Sequence, residues 1–139
     1  MVTAEVRVRY ADTDAMGVVY HANYLVWFEV GRGELMRAFG MPYADFEKRG
    51  ILVPVVEGQV KWLYPARYDD LLRVETRVEE LRPARITFAY RILRAEDGKL
   101  CCEGKTIHAF LGQGGRPSAL PKLAPDLWAA FQAKIAKPE

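Results

Sequence analysis

Residues 22–39 constrain the fold most, because they carry an apolar stripe at helical spacing. Large or close-packing residues recur every three or four positions, at Tyr24, Trp27, Phe28, Gly31, Leu35 and Phe39. This pattern is typical of a helix that buries one face. Four further apolar residues widen the surface, so we expect the first half of the helix to be buried nearly all round: Leu25, Val26, Val30 and Met36. Two glycines, Gly31 and Gly33, each cost a helix about 1 kcal/mol relative to alanine, which indicates that the helix backbone approaches a sheet closely.

Segments with strand patterns lie on both sides of this helix in the sequence. Residues 2–10 alternate apolar with polar or charged side chains, which predicts a strand with one buried face. After the long helix we predict a short helix and four more strands, over 42–49, 51–63, 71–81, 85–94 and 99–111, with Gly58 as a possible bulge. Asp97-Gly98 predicts a hairpin between the last two strands, and residues 125–136 have the stripe of a C-terminal helix. This order predicts an α+β fold, in which an antiparallel sheet of about five strands packs against one long helix.

Length and charge limit the remaining possibilities. The 139 residues predict a single domain over 1–139. There are 20 basic and 18 acidic residues, and a net charge of +2 gives no general attraction to nucleic acid. The adjacent Cys101 and Cys102 are too few for a disulfide framework, so we expect reduced thiols. No apolar run approaches the roughly 18 residues that a membrane span needs, so we expect a cytoplasmic protein without a membrane span.

The segment 10–24, YADTDAMGVVYHANY, contains the best candidates for chemistry. Asp12 and Asp14 precede the long helix, whose first N–H groups lack acceptors and carry partial positive charge. Such donors can stabilise the oxyanion of acyl transfer, and losing one typically costs roughly 3 kcal/mol of barrier. A nearby carboxylate can act as nucleophile or as general base. Since a thiol with a pKa of about 8.5 is a good leaving group, the arrangement favours a thioester substrate over an amide.

The motif D-x-D-x-x-G-V-V-Y-H-x-N-Y resembles the signature of the 4-hydroxybenzoyl-CoA thioesterase family. It is most similar to the short-chain acyl-CoA thioesterases associated with the Tol–Pal cluster. The resemblance continues through the helix and the segment Tyr64-Pro65-Ala66-Arg67-Tyr68-Asp69-Asp70. It implies a hotdog fold, in which a curved antiparallel sheet wraps around one central helix. It also implies hydrolysis of a short-chain or aromatic acyl-CoA, no cofactor beyond the coenzyme A of the substrate, and homodimers or homotetramers with active sites between subunits.

The resemblance also assigns roles to individual residues. The catalytic aspartate of the family corresponds to Asp14. The polarising backbone N–H of the family lies between Gly17 and His21, around Tyr20, and the assisting histidine of the Tol–Pal-associated branch corresponds to His21. Family members bind the coenzyme A phosphates with basic residues near the loop between the third and fourth strands. Here these residues are Arg82 and Arg85.

Structural interpretations compete with several of these roles. Asp12 has the character of a turn or helix-capping residue, and His21 can contribute its ring or only its backbone N–H. Glu29 and Glu34 lie three residues before Arg32 and Arg37, which favours surface ion pairs. We expect no metal site, because the aspartate pair has no further ligands at the usual spacing.

Two other functions remain open from the sequence. A hotdog hydratase or dehydratase also pairs an aspartate with a histidine, but it moves protons at the acyl carbons. An acyl-CoA-binding sensor would bind the ligand without turnover. We expect no DNA-binding extension beside the predicted domain, which disfavours the sensor and any nucleic-acid partner.

Overall fold

The computed structural model describes residues 1–136, and its centre is one antiparallel sheet packed against a long helix. The sheet order is β1-β3-β4-β5-β2, with strands β1 (Val2–Arg7), β2 (Val55–Trp62), β3 (Leu71–Leu81), β4 (Arg85–Arg94) and β5 (Leu100–Ala109). Each neighbouring pair is antiparallel. The helices are α1 (Asn23–Ala38), α2 (Tyr43–Lys48), α3 (Leu120–Leu123) and α4 (Pro125–Ala136), with 3-10 turns at Tyr10–Asp12 and Gln113–Gly115. The predicted α+β class, the long helix and the C-terminal helix are therefore confirmed.

Three predicted strands are shorter than expected: the strand predicted over 99–111 spans Leu100–Ala109, and two others are shortened for local reasons. The first strand ends at Arg7, and a 3-10 turn follows it. The strand predicted over 51–63 begins only at Val55, because Pro54 just before it has no N–H to donate to a ladder. Its bulge lies between Val55 and Glu57 rather than at Gly58.

Gly31 explains how closely α1 approaches the sheet. A Cβ at this position would lie 2.3 Å from Thr76 Oγ1 and 2.8 Å from Val74 Cγ1, both on β3. The predicted close approach is therefore confirmed for Gly31. It is wrong for Gly33, where the nearest atom to a Cβ is Arg37 Nη1 of the same helix at 3.5 Å. One turn of α1 thus contacts β3 through backbone rather than through side chains.

The expectation that the first half of α1 is buried all round is wrong. Leu25, Val26 and Val30 are 43%, 53% and 39% exposed, because the sheet covers only one side of the helix. The edge strand β2 also exposes apolar side chains, with Val55 and Val56 both about half exposed. One sheet layer in a single copy of the chain therefore leaves apolar surface on both elements.

None of the helices within residues 1–136 combines the length and the apolar character that a membrane crossing requires.

Candidate active site

The loop between β1 and α1 forms a small hairpin that carries Asp14. Thr13 and Val19 form an antiparallel bridge, and the Asp14 N–H donates to Val18 O at 2.9 Å. Gly17 closes the hairpin with φ of +76°, a left-handed conformation that glycine adopts without strain. The Val19 N–H donates to Ala66 O at 2.9 Å and fastens the loop to the segment before β3. Asp14 is therefore held on a short turn that is anchored at its base.

The carboxylate of Asp14 faces an open cleft. Its Oδ1 accepts the Met16 N–H at 2.9 Å, while its second oxygen has no hydrogen bond or ion pair to any residue the structure describes. The cleft has a volume of about 230 Å³, and Asp14 shares it with His21, Tyr24 and Trp62 among others. The structure thus brings Asp14 and His21 to one surface and leaves one carboxylate oxygen available there.

Unlike Asp14, Asp12 uses its carboxylate and its carbonyl oxygen in hydrogen bonds within the protein. Its carboxylate is buried and accepts Arg9 Nη2 and the Arg9 N–H, both at 2.8 Å. The hydrogen bond from the Arg9 side chain holds the pKa of Asp12 below its usual value. The carbonyl of Asp12 accepts the Tyr20 N–H at 2.9 Å and Asn23 Nδ2 at 2.8 Å. Asp12 therefore ties the loop to the start of α1, which agrees with its structural interpretation.

The backbone donors expected between Gly17 and His21 are not equally available. The Gly17 N–H donates to Asp14 O and the Tyr20 N–H to Asp12 O, both at 2.9 Å. The His21 N–H has no acceptor within residues 1–136. No side chain caps α1, and its first turn holds no acidic residue that would neutralise the positive end of the helix. Within this stretch the N–H groups of Gly17 and Tyr20 are already used inside the loop, whereas those of Val18 and His21, both of which line the cleft, have no acceptor among residues 1–136.

Trp62, at the end of β2, positions His21. Its Nε1 donates to His21 O at 3.1 Å. The His21 ring lies 4.5 Å from the Tyr20 ring and 5.7 Å from the Trp62 ring, nearly perpendicular to the latter. Because Trp62 lies 41 residues along the chain, no local pattern could reveal this contact. Tyr20 is not among the residues that line the cleft, and its ring, about half exposed, packs against the His21 ring.

Tyr24 connects the start of α1 to the segment before β3. Its hydroxyl oxygen accepts the Ala66 N–H at 3.2 Å. Burial raises the pKa of Tyr24 to about 12, so the hydroxyl is neutral at physiological pH. Ala66 therefore bonds to both the loop and the helix, which explains why the segment 64–70 belongs to the site.

Arg82 and Arg85 lie at the other end of the sheet from Asp14. They flank the turn between β3 and β4, both are exposed, and Arg82 pairs with Glu80. Arg85 is opposite Ala109, and the neighbouring His108 is opposite Val55. The cleft of Asp14 adjoins Trp62, at the opposite end of β2. Within one copy of the chain, these arginines and Asp14 therefore do not share a site.

A curved sheet around a helix, with a carboxylate at the helix start, is the architecture of hotdog thioesterases. Comparison with known proteins agrees: residues 8–135 match the model of the thioesterase-like superfamily, and the chain belongs to that family. Within residues 1–136, no cluster of three or more histidine, cysteine or carboxylate side chains could hold a metal ion.

The chain is similar to several named proteins over most of its length. It is 37% identical over 129 residues to the putative acyl-CoA thioesterase YneP of Bacillus subtilis, covering 92% of this chain and 93% of that protein. The DHNA-CoA thioesterase of Staphylococcus aureus superposes with a TM-score of 0.91 at 36% identity, covering 96% and 90% of the two chains. The 4-hydroxybenzoyl-CoA thioesterase of Pseudomonas sp. strain CBS-3 gives 0.78 at 25% identity, covering 87% and 94%. The predicted family, the hotdog fold and the class of thioester hydrolase are confirmed.

Proposed function

We propose that this thioesterase hydrolyses acyl-CoA thioesters with short-chain or aromatic acyl groups, at the cleft that holds Asp14. One observation carries the proposal: a carboxylate with one unbonded oxygen shares an open cleft with His21, whose N–H has no acceptor in the described chain. The relatives named above, two of them aromatic acyl-CoA thioesterases by name, support the choice of substrate class.

The mechanism follows from the donors and acceptors in the cleft. The carbonyl oxygen of the thioester accepts the His21 N–H, which faces growing negative charge as the carbon becomes tetrahedral. Asp14 either attacks that carbon, giving an anhydride that water then opens, or takes a proton from the water that attacks. The thiolate of coenzyme A leaves and takes up a proton. Both routes yield the free acid and coenzyme A without a metal or a separate cofactor.

The complete site includes a second copy of the chain. Among the described strands β2 pairs only with β5, so its outer edge offers unpaired backbone groups as well as apolar side chains. Two copies that pair antiparallel along β2 about a two-fold axis place Trp62 of one copy opposite Val55 of the other. The Val55 end of the sheet also carries the turn with Arg82 and Arg85. Each Asp14 cleft then faces the partner's arginines, which are exposed and bind the coenzyme A phosphates in a homodimer or a homotetramer.

The test is release of free thiol from a panel of acyl-CoA thioesters by the wild type and by Asp14→Asn. The amide oxygen of asparagine can still accept the Met16 N–H, so the turn should persist. We expect kcat to fall by a factor of about 10² to 10⁴, with an unchanged circular dichroism spectrum. Asp45→Asn, on the exposed surface of α2, is the matched control and should keep full activity.

Full activity of Asp14→Asn on the best substrate would remove the proposed mechanism. Loss of substrate without release of thiol would instead indicate a hydratase or dehydratase. Tight binding of acyl-CoA with no product would indicate a sensor.

A further inference from the structure

Tyr64 lines the cleft that holds Asp14 and lies two residues along the chain from Trp62, another residue of the cleft wall. The Tyr64 N–H donates to Cys101 O at 3.2 Å, which fastens the residue beside β5. Tyr64 is 36% exposed. It is therefore held at the cleft and remains accessible to a substrate that enters there.

Two cations lie over the ring of Tyr64. Lys99 Nζ is 4.3 Å from the ring centroid, and Arg94 Cζ is 4.8 Å from it. Both distances are within the range of a cation–π contact. Arg94 is itself fixed by two carboxylates, since its Nη2 lies 2.5 Å from Asp97 Oδ2 and its Nη1 lies 3.7 Å from Asp70 Oδ2. The positive charge beside Tyr64 is therefore held in place.

The same cations act on the hydroxyl group of Tyr64. Side-chain hydrogen bonds with Arg94 and with Lys99, together with their positive charges, lower the pKa of Tyr64. Guanidinium and ammonium groups can only donate, so the hydroxyl oxygen is the acceptor in both interactions. The proton of the hydroxyl has no acceptor within residues 1–136. Tyr64 is thus a stronger acid than a free tyrosine, and its proton is available to a group in the cleft.

The other charged or titratable residues near Tyr64 belong to the cleft wall, to β5 and to the ion pairs of Arg94: Asp14, His21 and Tyr24; Cys101; Asp70 and Asp97. Tyr24 and Cys101 are uncharged at neutral pH, because burial raises the pKa of each. The two carboxylates beside Arg94 are already paired with its guanidinium. Among the tyrosines of the cleft wall, Tyr64 is therefore the one whose proton is readily lost.

Thioester hydrolysis has a use for such an acid. Breaking the C–S bond leaves an electron pair on sulfur, which must gain a proton to become a neutral thiol. The thiol has a pKa of about 8.5 and a free tyrosine one of about 10, so a tyrosine of lowered pKa is close to the leaving group in acidity, which suits general acid catalysis. Where Asp14 acts as the nucleophile, it has no proton of its own to supply.

We propose that Tyr64 Oη donates its proton to the sulfur of coenzyme A as the C–S bond breaks, and that Arg94 and Lys99 stabilise the phenolate that remains. The inference rests on the proposed function and deepens it. The electron pair of the C–S bond stays on sulfur, the new S–H bond completes the thiol, and the phenolate regains a proton from water. Tyr64 is then a catalytic residue, whereas Arg94 and Lys99 act through it.

The experiment measures thiol release by the full-length wild type, Tyr64→Phe and Lys99→Met across neutral and alkaline pH. Two substrates are compared: the acyl-CoA that the wild type hydrolyses fastest, and the thioester of the same acid with an aromatic thiol, which is more acidic and leaves without help. Phenylalanine keeps the ring and its cation contacts, so thermal unfolding should show an intact fold. Tyr10→Phe is the matched control, because Tyr10 is 80% exposed and does not line the cleft.

We expect Tyr64→Phe to lower kcat/KM for the acyl-CoA by about 10² and to change that for the aromatic thioester little. In the wild type kcat/KM should decline as Tyr64 ionises, below the pKa of about 10 of a free tyrosine. This decline should move to higher pH in Lys99→Met and be absent from Tyr64→Phe. Tyr10→Phe should behave as the wild type does.

The inference is overturned if Tyr64→Phe hydrolyses the acyl-CoA as fast as the wild type. It is also overturned if the variant slows both thioesters equally and keeps the wild-type pH profile, as a purely structural role would require. If the wild type does not accept the aromatic thioester, the pH profiles alone decide. These results leave the proposed function in place, whereas a wild type that hydrolyses no thioester refutes that function and the inference with it.

Discussion

Replacing Gly31 by alanine should destabilise the protein, although alanine is the better helix former. In an exposed helix the change would gain about 1 kcal/mol. Here the new Cβ would lie 2.3 Å from Thr76 Oγ1 and 2.8 Å from Val74 Cγ1, so α1 and β3 must separate. Overpacking of this kind costs about 1–3 kcal/mol, and at such short distances the upper part of that range applies. We therefore expect Gly31→Ala to lower the free energy of unfolding by about 1–2 kcal/mol.

Gly33→Ala is the matched control on the same helix. Its Cβ would meet nothing closer than Arg37 Nη1 at 3.5 Å, the far end of a flexible side chain. The helix propensity of alanine then acts alone, and stability should rise by up to about 1 kcal/mol. The two variants should differ by roughly 2–3 kcal/mol in opposite directions from the wild type.

Urea unfolding followed by tryptophan fluorescence measures both changes, at one protein concentration because association stabilises the folded state. Adding Thr76→Ala to Gly31→Ala removes the nearest obstructing atom, the Thr76 hydroxyl oxygen, which has no hydrogen-bond partner among residues 1–136. The double variant should therefore recover part of the loss. A Gly31→Ala protein as stable as Gly33→Ala would refute the close approach of α1 to β3.

Two further predictions concern buried titratable groups. Burial raises the pKa of Cys102 to about 12 and also raises that of Cys101, and both side chains are fully buried. A thiol-reactive dye should therefore label them only after denaturation in guanidinium, and rapid labelling of the folded protein would contradict this burial. Burial lowers the pKa of His108 to about 4 from its ordinary 6.5. Since the unfolded chain binds this proton first, stability should fall as the pH drops from about 6.5 to 4, with no further loss from His108 below that. An NMR titration of the ring that centres near 6.5 would contradict the prediction.

Much of the fold was predictable because the apolar residues of its strands and helices recur at regular spacings. The predicted strands 71–81 and 85–94 match β3 and β4, and the C-terminal helix matches α4. A period of two or of 3.6 residues is a local property that the sequence displays directly. The exposure of Val26 was not predictable in this way. Apolar spacing identifies the residues suited to burial, but it does not show which of them the sheet of the same copy covers.

The same distinction applies to the candidate site: residues that share one loop were predictable from the sequence, and contacts between distant segments were not. Asp14 and His21 lie seven residues apart on one loop, so a local motif contains both. Trp62 reaches His21 from a distant strand, and only the sheet order reveals that contact. The ion pair predicted between Glu29 and Arg32 is absent among residues 1–136, although the same spacing does give a pair between Glu34 and Arg37, because spacing along a helix does not determine which neighbours a side chain meets after folding.

The turn that holds Asp14 also limits how this enzyme can vary. Because Oδ1 accepts the Met16 N–H, the same carboxyl group both closes its turn and faces the cleft. A glutamate would move the carboxylate outward by about one bond, roughly 1.5 Å, and would leave that N–H without its acceptor. The turn therefore favours aspartate over a longer acid at this position, and under the proposed mechanism changes in reactivity or substrate range would come from the residues around Asp14.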